Sequence, residues 1–404
     1  MDNVWFAAAL WVGLALVATL LAIRFRISTA LTEILVGTGA AFLLSATVGG
    51  DVLNPKAPWL AFLAGAGSIL LTFLAGAELD WAVFRRKWKE ANAVGLVGFL
   101  APFVGAAAVA RFVLGWSAPA SWLAGVALST TSVAVVYAVM LELGFNQTDF
   151  GKGILAACFV NDLGTVIALG LIFSPFTMRT VIFVVVSVAV AAGLPPFTRR
   201  VFRQFGGRVS ELEAKFLLFA LFVMGGLALW AGSEAVLPAY IIGMVLAGVV
   251  GTDHLLVRRL RTLTFGLLTP FYFIRAGSFV SVPALIAAPL VFVALFIAKV
   301  ASKMAGLLPT VRAFNYAKHE NMYYTLMMST GLTFGTISAL FGLNHGVITQ
   351  VQYSHLVATV IGSAVVPTLV ANAFFLPRHL LPRTDLRGVG GGKNASELAH
   401  LTSD

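Results

Sequence analysis

The sequence predicts an all-α polytopic membrane protein with about thirteen transmembrane helices. Of the 404 residues, 59% are hydrophobic and 11% are charged, which is far from the composition of soluble domains. The hydrophobic residues form runs of roughly 18 to 25 residues, each long enough to cross about 30 Å of hydrocarbon as an α-helix. Most basic residues lie in the short connections between these runs. These three observations predict that the chain lies in a lipid bilayer.

The segments follow one another with little intervening chain, and each is bounded by charged residues or by glycine and proline. The first segment follows Met1-Asp2-Asn3, which lacks the basic region of a signal peptide, so we expect it to remain as a helix. The predicted segments are residues 4–23, 31–49, 58–78, 91–114, 120–141, 152–173, 179–197, 214–231, 236–251, 263–280, 284–308, 321–341 and 350–375.

The distribution of basic residues predicts the topology. The even-numbered connections contain only Lys56 and Arg179. By the positive-inside rule, the odd-numbered connections and the C-terminus are cytoplasmic and the N-terminus faces outward, in a multi-pass protein of the inner (plasma) membrane. The basic residues of the odd-numbered connections are Arg24, Arg26, Arg85, Arg86, Lys87, Lys89, Arg199, Arg200, Arg203, Arg208, Arg258, Arg259, Arg261, Arg312 and Lys318.

Several other classes are disfavoured by composition. Cys158 is the one cysteine, which excludes an intramolecular disulfide framework, and no Cys/His cluster has the spacing of a metal site, so we expect no metal and no cofactor. The net charge of +10 is spread over the connections rather than gathered on one soluble face. We therefore expect no nucleic-acid partner, and the chain is not expected to be an enzyme.

The residues after the last segment are predicted to form a tail. Residues 1–377 form the transmembrane domain, and residues 378–404 are expected to be a flexible cytoplasmic extension. Within it, Gly388 to Lys393 superficially resembles a phosphate-binding loop, but no strand precedes it and too little chain follows for a βαβ unit.

Asp162 is the strongest candidate for a functional residue. It lies about ten residues from each end of the sixth segment, where a charged aspartate costs about 2.5 to 3.5 kcal/mol on insertion scales. Its neighbour Asn161 adds an amide at the same depth. The alternative is a protonated aspartate that serves only helix packing. We favour an ion-binding role because other polar residues lie at a similar depth.

Two of the segments contain polar runs at mid-span. The fifth contains Ser129-Thr130-Thr131-Ser132, whose hydroxyls compete with helical hydrogen bonds and favour a break. The twelfth contains Ser329 to Thr336, including Thr330. A pair of interrupted helices is typical of a transporter binding site, because unwound carbonyl groups can bind ions. The alternative is close helix packing through Gly331 and Gly335.

Cationic residues also lie within predicted segments. Lys299 and Lys303 are one turn apart on the eleventh segment, and Arg275 lies on the tenth. Snorkelling to the cytoplasmic surface is one explanation for Lys303. Either Lys299 or Arg275 is a possible charge partner that neutralises Asp162 when no ion is bound. Glu33, Glu78 and Glu142 lie near segment ends, where a structural role is expected.

With these residues in view, the chain resembles the monovalent cation:proton antiporter-2 family, which includes bacterial sodium/proton and potassium/proton antiporters. The resemblance covers almost the whole membrane region. It rests on Glu33 to Gly37 as E-x-x-x-G, Phe73 to Asp80 as F-x-x-G-x-E-x-D, Leu128 to Ser132 with Leu141 to Gly144 as the crossing-helix motif, and Pro270 to Phe273 with Gly277 as P-x-F-F-x-x-x-G.

The resemblance implies a fold and a site. The fold would contain inverted repeats, here at about residues 31–173 and 236–341, with two discontinuous crossing helices, and the protein would be a homodimer. Asp162 would bind the cation and the proton alternately. The family's basic residue is followed three residues later by glycine, which favours Lys303 with Gly306, whereas depth favours Lys299.

Two features depart from the family pattern. Thr330-Gly331-Leu332 lacks the charge often found on the second crossing helix, and Arg275 stands where a small or apolar residue is usual. The leading hypothesis is therefore exchange of Na⁺, K⁺ or Li⁺ for protons, with the choice of ion left open. The alternatives are a cation-coupled symporter of a small organic anion, with Arg275 or Lys299 binding a carboxylate, and a non-transporting sensor that retains the fold.

Overall fold

The computed structural model describes residues 4–25, 28–47, 53–77, 79–145, 148–173, 177–207, 211–233, 235–251 and 253–381, and within these ranges the regular structure is entirely helical. The helices are α1 (Val4–Phe25), α2 (Thr29–Thr47), α3 (Pro58–Ala77), α4 (Trp81–Arg86), α5 (Trp88–Ala108), α6 (Ala118–Ser129), α7 (Val133–Glu142), α8 (Asp149–Phe173), α9 (Met178–Phe205), α10 (Leu212–Trp230), α11 (Val236–Val250), α12 (His254–Leu263), α13 (Thr269–Ser278), α14 (Val282–Ala287), α15 (Pro289–Arg312), α16 (Lys318–Met328), α17 (Thr333–Asn344) and α18 (Gln350–Phe374). A π-helical turn, Val109–Val113, extends α5, and another, Thr264–Leu268, joins α12 to α13.

In the described part of the chain, ten helical stretches are long and apolar enough to cross a membrane. The multi-pass membrane fold is thereby confirmed, whereas the number thirteen stays a prediction. The three other predicted segments correspond to helices that are interrupted or short. The fifth is divided between α6 and α7, the ninth is the 15-residue α11, and the tenth is divided by the π-helical turn before α13.

One connection is more regular than the sequence pattern indicated. The residues before the tenth segment form α12. Asp253 caps the start of this helix, and its carboxylate accepts from the Leu256 amide at 3.0 Å. Leu256 and Leu260 are buried, while Arg258 and Arg259 are exposed. An apolar stripe with a basic opposite face makes α12 an amphipathic helix, which a search for uniformly apolar runs does not find.

The helices pack as two groups. The scaffold group contains α1 to α3 and α9 to α13, and the crossing group contains α5 to α8 and α14 to α18. Contacts within each group are much denser than contacts between them. In the scaffold group, α2 and α13 approach so closely that a Cβ at Gly37 would collide with the Ile274 carbonyl, and one at Gly277 with the Ile34 carbonyl. Glycine from two sequence motifs is therefore required at this contact.

The crossing group contains both interrupted helices. The chain leaves helical geometry at Thr130 to Ser132, between α6 and α7, and again after α16, which ends at Met328, before α17. The Ser132 amide donates to the Thr330 carbonyl at 3.2 Å, so the two breaks touch. Both predicted interruptions are confirmed.

Several sequence predictions fall outside the described residues. Glu78 of the F-x-x-G-x-E-x-D motif is one, and residues 382–404, which include Gly388 to Lys393, are another. The predicted tail begins within the description as a short 3₁₀ turn, Arg378–Leu380.

Candidate functional site

Asp162 lies on α8 inside the crossing group and is 1% exposed. Two glycines allow α5 to pack close to α8 on either side of this position: a Cβ at Gly95 would lie 2.5 Å from the Val160 Cβ, and one at Gly164 would lie 3.0 Å from the Phe99 ring. No described group donates a hydrogen bond to the Asp162 Oδ1 atom. A buried carboxylate oxygen without a protein partner is costly. Asp162 Oδ1 is therefore available to bind a ligand.

Asn161 holds the first break in place. Its Oδ1 accepts from the Thr131 amide at 2.8 Å, and its Nδ2 donates to the Ser129 carbonyl at 3.3 Å. A single side chain thus satisfies a backbone donor and a backbone acceptor that the break in the helix would otherwise leave unpaired. Asn161 fixes the register between α8 and the break, with Asp162 as the next residue.

Lys303 joins the two breaks. Its Nζ donates to the Thr130 carbonyl at 2.9 Å, to the Thr131 hydroxyl at 2.7 Å and to the Met328 carbonyl at 2.7 Å. The side chain is fully buried. Snorkelling, one of the two explanations considered for Lys303, is therefore wrong, because α6 and α16 enclose the ammonium group in the interior.

Lys299 lies one turn away and makes weaker contacts. Its Nζ donates to the Thr130 carbonyl at 3.3 Å. A Cβ at Gly331 would collide with this ammonium group, so the second break comes close to Lys299 because Gly331 has no side chain. Both lysines therefore lie at the breaks, and Lys303 makes the greater number of hydrogen bonds.

The hydroxyl groups of the breaks mostly satisfy nearby backbone groups. Thr131 Oγ1 donates to the Met328 carbonyl at 2.7 Å, Thr130 Oγ1 to Ala127 at 3.2 Å, and Ser129 Oγ to Val126 at 2.8 Å. The remaining two behave similarly: Ser132 Oγ accepts from the Val135 amide at 3.4 Å, and Thr330 Oγ1 donates to the Met327 carbonyl at 2.8 Å. Each oxygen keeps acceptor capacity, since a hydroxyl has two lone pairs.

Arg275 is the predicted candidate that the structure does not bring to this cluster. Its Nε donates to the Pro55 carbonyl at 2.6 Å, and its guanidinium lies 5.1 Å from the centre of the Phe279 ring. No contact with Asp162 is found among the described residues. The depth of Arg275 could be predicted by counting residues, but the direction of its side chain, which points toward the end of α13, could not.

Tyr240 is a residue that sequence reasoning missed. It lies on α11 of the scaffold group and is fully buried. Its hydroxyl donates to the Phe159 carbonyl on α8 at 3.0 Å, and its ring packs edge-on against Phe334 of α17, with centroids 5.7 Å apart. It therefore links the two helix groups three residues before Asp162. A lone hydroxyl in an otherwise apolar segment was the available signal.

Glu90 was also missed. It is buried at the start of α5, where it accepts from Lys87 Nζ at 3.1 Å and from the hydroxyls of Tyr316 at 2.8 Å and Tyr324 at 3.2 Å. Tyr316 lies in the connection between α15 and α16, and burial together with the Glu90 carboxylate raises the pKa of Tyr316. Tyr316 therefore remains a hydrogen-bond donor at physiological pH. The i, i+3 spacing of Lys87 and Glu90 was the sequence signal.

A small cavity approaches the site from the end of α8 that is predicted to be cytoplasmic. It has a volume of about 70 Å³ and reaches Phe159, one turn from Asp162. Its polar lining includes Asp80, whose carboxylate also accepts from the first amides of α4, and Lys152. A buried carboxylate beside two crossed, interrupted helices is typical of ion-coupled secondary transporters.

Comparison with known proteins gives the family. Residues 12–375 match the family model described as "Sodium/hydrogen exchanger, transmembrane". Probable Na⁺/H⁺ antiporter 3 of Methanocaldococcus jannaschii is 24% identical over 331 residues, which cover 78% of this chain and 84% of that protein. Na⁺/H⁺ antiporter NhaS4 of Synechocystis is 26% identical over 400 residues, covering 91% and 96%. The structure of the sodium proton antiporter MjNhaP1 from M. jannaschii matches with a TM-score of 0.69 at 16% identity, covering 92% of this chain and 96% of that chain.

The chain therefore belongs to the sodium/hydrogen exchanger family. This finding confirms the resemblance to monovalent cation:proton antiporters and makes the protein a membrane transporter rather than an enzyme. The structural likeness confirms the fold class independently of the sequence match.

Proposed function

We propose that this protein exchanges a monovalent cation, Na⁺ or K⁺, for protons across the plasma membrane, and that Asp162 binds the two alternately. The observation that carries the proposal is the buried Asp162 Oδ1 atom, which has no hydrogen-bond partner in the described part of the chain, next to two touching helix breaks. Membership in the sodium/hydrogen exchanger family supports it.

Alternation follows from the cost of burying a charge. An isolated carboxylate in a low-dielectric interior is unfavourable by several kcal/mol. Binding of either a proton or a cation neutralises the carboxylate and removes that cost. Once one of them is bound, the other gains no further electrostatic stabilisation. Binding of either ligand therefore displaces the other, which is the condition for coupled exchange.

The breaks supply the other ligands. Alkali cations prefer oxygen atoms, and an unwound segment exposes carbonyl groups that a continuous helix would use internally. Ser129, Thr130, Thr131, Ser132 and Thr330 supply hydroxyl and carbonyl oxygens in this region. Three of these oxygens contact the two lysines or Asn161. We propose that a dehydrated cation at Asp162 draws its remaining ligands from this set.

Lys303 is the functional lysine in this proposal, and Lys299 supports it. Lys303 contacts both breaks, so it remains in position while Asp162 exchanges ligands. Its positive charge also lowers the cost of an ionised Asp162 between binding events. Arg275 is not assigned a role at this site, because its hydrogen bond and ring contact hold it elsewhere.

The arrangement in the membrane is a further part of the proposal. We propose that residues 1–377 form one antiporter domain with inverted repeats at about residues 31–173 and 236–341, and that the chain is a homodimer with an outward N-terminus and a cytoplasmic tail from residue 378. The alternation of basic connections supports the orientation. The exposed apolar faces of α9 and α10 supply surface for lipid and for a second copy.

Exchange in proteoliposomes tests the function. Purified full-length protein is reconstituted with an imposed pH gradient, and Li⁺, Na⁺, K⁺ or Rb⁺ is added in turn. We expect at least one of these cations to dissipate the gradient in the wild type and none to do so in Asp162→Asn. Asp253→Asn is the matched control, since this exposed carboxylate caps α12 outside the site and its loss leaves exchange intact. Dissipation by Asp162→Asn at the wild-type rate contradicts the proposal.

A further inference from the structure

A second cavity, of about 840 Å³, lies between the two helix groups and is separate from the Asp162 site. It is bounded by the last turns of α2, α13 and α17 and by the start of α18. These ends share the side that the charge pattern predicts to be external. The volume falls in the range of small-molecule pockets, about 300 to 1,000 Å³.

The charge of this cavity is unsuited to cations. Its charged lining residues in the described part of the chain are Lys56 and Arg275, both basic, and no described carboxylate lines it. A cleft lined by one sign of charge concentrates ions of the opposite sign. The cavity is therefore a poor entrance for Na⁺ or K⁺ and a favourable one for anions.

Arg275 is held ready for an anion. The residue is 9% exposed, its Nε donates to the Pro55 carbonyl, and its guanidinium carbon lies 5.1 Å from the centre of the Phe279 ring. Neither Nη atom makes a hydrogen bond to a described residue. Two parallel N–H groups at the end of a fixed guanidinium match the two oxygens of a carboxylate. A buried guanidinium whose unused hydrogen-bond donors face a cavity is typical of an anion-binding site.

The rest of the lining favours an organic anion. Phe42, Leu53, Val280 and Leu343 contribute apolar surface beside the two basic residues. An inorganic ion would leave this apolar surface hydrated, whereas the hydrocarbon part of an organic anion would bury it. Lys56 is exposed and lines the same cavity as Arg275, so the cavity contains a second positive charge.

We propose that this cavity binds a small organic carboxylate, with Arg275 pairing with one carboxylate group and Lys56 with a second when the ligand has two. The site goes beyond cation/proton exchange. Because the ligand contacts α2 and α13 of the scaffold group and α17 of the crossing group, it restrains their relative movement. A bound carboxylate therefore slows exchange. This slowing rests on the proposed function, whereas the binding of the carboxylate is independent of it.

Ligand binding by the full-length protein in detergent tests the site. Succinate, butyrate, inorganic phosphate and chloride are titrated by calorimetry at constant ionic strength and pH. We expect succinate to bind more tightly than butyrate, and both more tightly than phosphate or chloride. Arg275→Gln should weaken succinate binding at least about tenfold, and Arg275→Lys should weaken it less.

Two further variants make the result specific. Lys56→Gln removes an exposed charge and should reduce succinate binding without affecting butyrate binding. Arg179→Gln is the matched control, because Arg179 also lies near an aromatic ring, that of Trp230 at 5.3 Å, but outside this cavity. We expect this variant to bind succinate as the wild type does.

The proposal is wrong if the wild type does not bind succinate at concentrations up to about 100 mM. It is also wrong if Arg275→Gln binds succinate as tightly as the wild type does, or if the wild type binds phosphate or chloride more tightly than succinate. If Arg275→Gln does not fold, an unchanged preference for succinate over butyrate in Lys56→Gln overturns it instead. Because binding is measured in detergent without transport, a failure of cation/proton exchange in proteoliposomes does not change the interpretation of the binding experiment.

Discussion

The single residues Asn161, Lys303 and Asp162, all buried in the crossing group, differ in how fully they are hydrogen-bonded. Asn161 uses both ends of its amide and Lys303 uses three hydrogen bonds, all within the crossing group. Asp162 Oδ1 has no partner among the described residues. The bonded residues fix the geometry of the breaks, and the unbonded oxygen is the atom that we propose binds the transported ion.

The two lysines should differ when each is replaced by glutamine. Lys303→Gln replaces an ammonium group that donates three hydrogen bonds with a neutral amide that has two donors, so at least one of the three bonds is lost. A hydrogen bond to a charged group contributes about 1.5 to 3 kcal/mol. We expect Lys303→Gln to lower the exchange rate more than tenfold and to lower the unfolding temperature. Lys299→Gln removes one long hydrogen bond of 3.3 Å and should have a smaller effect on both. Exchange rates and thermal unfolding measured in parallel check this, and a larger loss for Lys299→Gln would reverse the assignment.

At the scale of helices, the scaffold group depends on close backbone contact. A Cβ at Gly76 would lie 2.5 Å from the Tyr240 carbonyl, and one at Gly243 would collide with the Phe73 carbonyl and lie 3.0 Å from the Ala77 amide. Because these neighbours are backbone atoms, they yield only if α3 and α11 move apart. The rigid pairing of α3 with α11 follows from glycine at these two positions.

Gly243→Ala therefore tests the scaffold. We expect a loss of stability of about 1 to 3 kcal/mol, as for an overpacked core, seen as a lower unfolding temperature in detergent. Gly248→Ala on the same helix is the matched control, because a Cβ there has no atom within 4 Å, so stability should be unchanged or slightly higher. Equal unfolding temperatures for the two variants would show that the close contact between α3 and α11 does not determine the stability of the protein.

The sequence predicted some of these features better than others. The first break could be predicted because its four consecutive hydroxyl residues, Ser129 to Ser132, compete with helical hydrogen bonds, which is a local property. Asp162 could be found because its cost depends mainly on depth, which counting residues gives. The contacts of Lys303 and the position of Arg275 could not be predicted, since they depend on which neighbouring helix each side chain faces. The helix α12 was missed because its stability comes from Leu256 and Leu260 packing on the scaffold group.

At the scale of the whole molecule, few polar contacts join the scaffold group to the crossing group near the site in the described part of the chain. The Tyr240 hydroxyl of the scaffold group and the Phe159 carbonyl of the crossing group form one of them, in the interior and beside Asp162. If exchange requires the groups to move relative to each other, this hydrogen bond breaks in each cycle. Its strength then contributes to the barrier.

Tyr240→Phe should therefore speed exchange about two- to fivefold, the equivalent of a net hydrogen-bond contribution of about 0.5 to 1 kcal/mol. The ring contact with Phe334 is preserved in this variant. Tyr323→Phe is the matched control, because the Tyr323 hydroxyl bonds to Asn372 at 3.2 Å within the crossing group. Initial rates of cation-driven pH change in proteoliposomes provide the measurement. Unchanged or slower exchange by Tyr240→Phe would exclude this bond from the barrier.

The meeting of the two breaks also has an electrical consequence. Helices α6 and α16 end there and α7 and α17 begin there, so two negative and two positive dipole ends, each worth about half a charge, cancel in sum. The ammonium of Lys303 faces the carbonyl ends. If Lys303 is charged and Asp162 alternates between a proton and a monovalent cation as proposed, the site has the same net charge of about +1 in both states. A membrane voltage would do equal and opposite work on the two halves of the transport cycle, which leaves the ion gradients alone to set the direction of exchange.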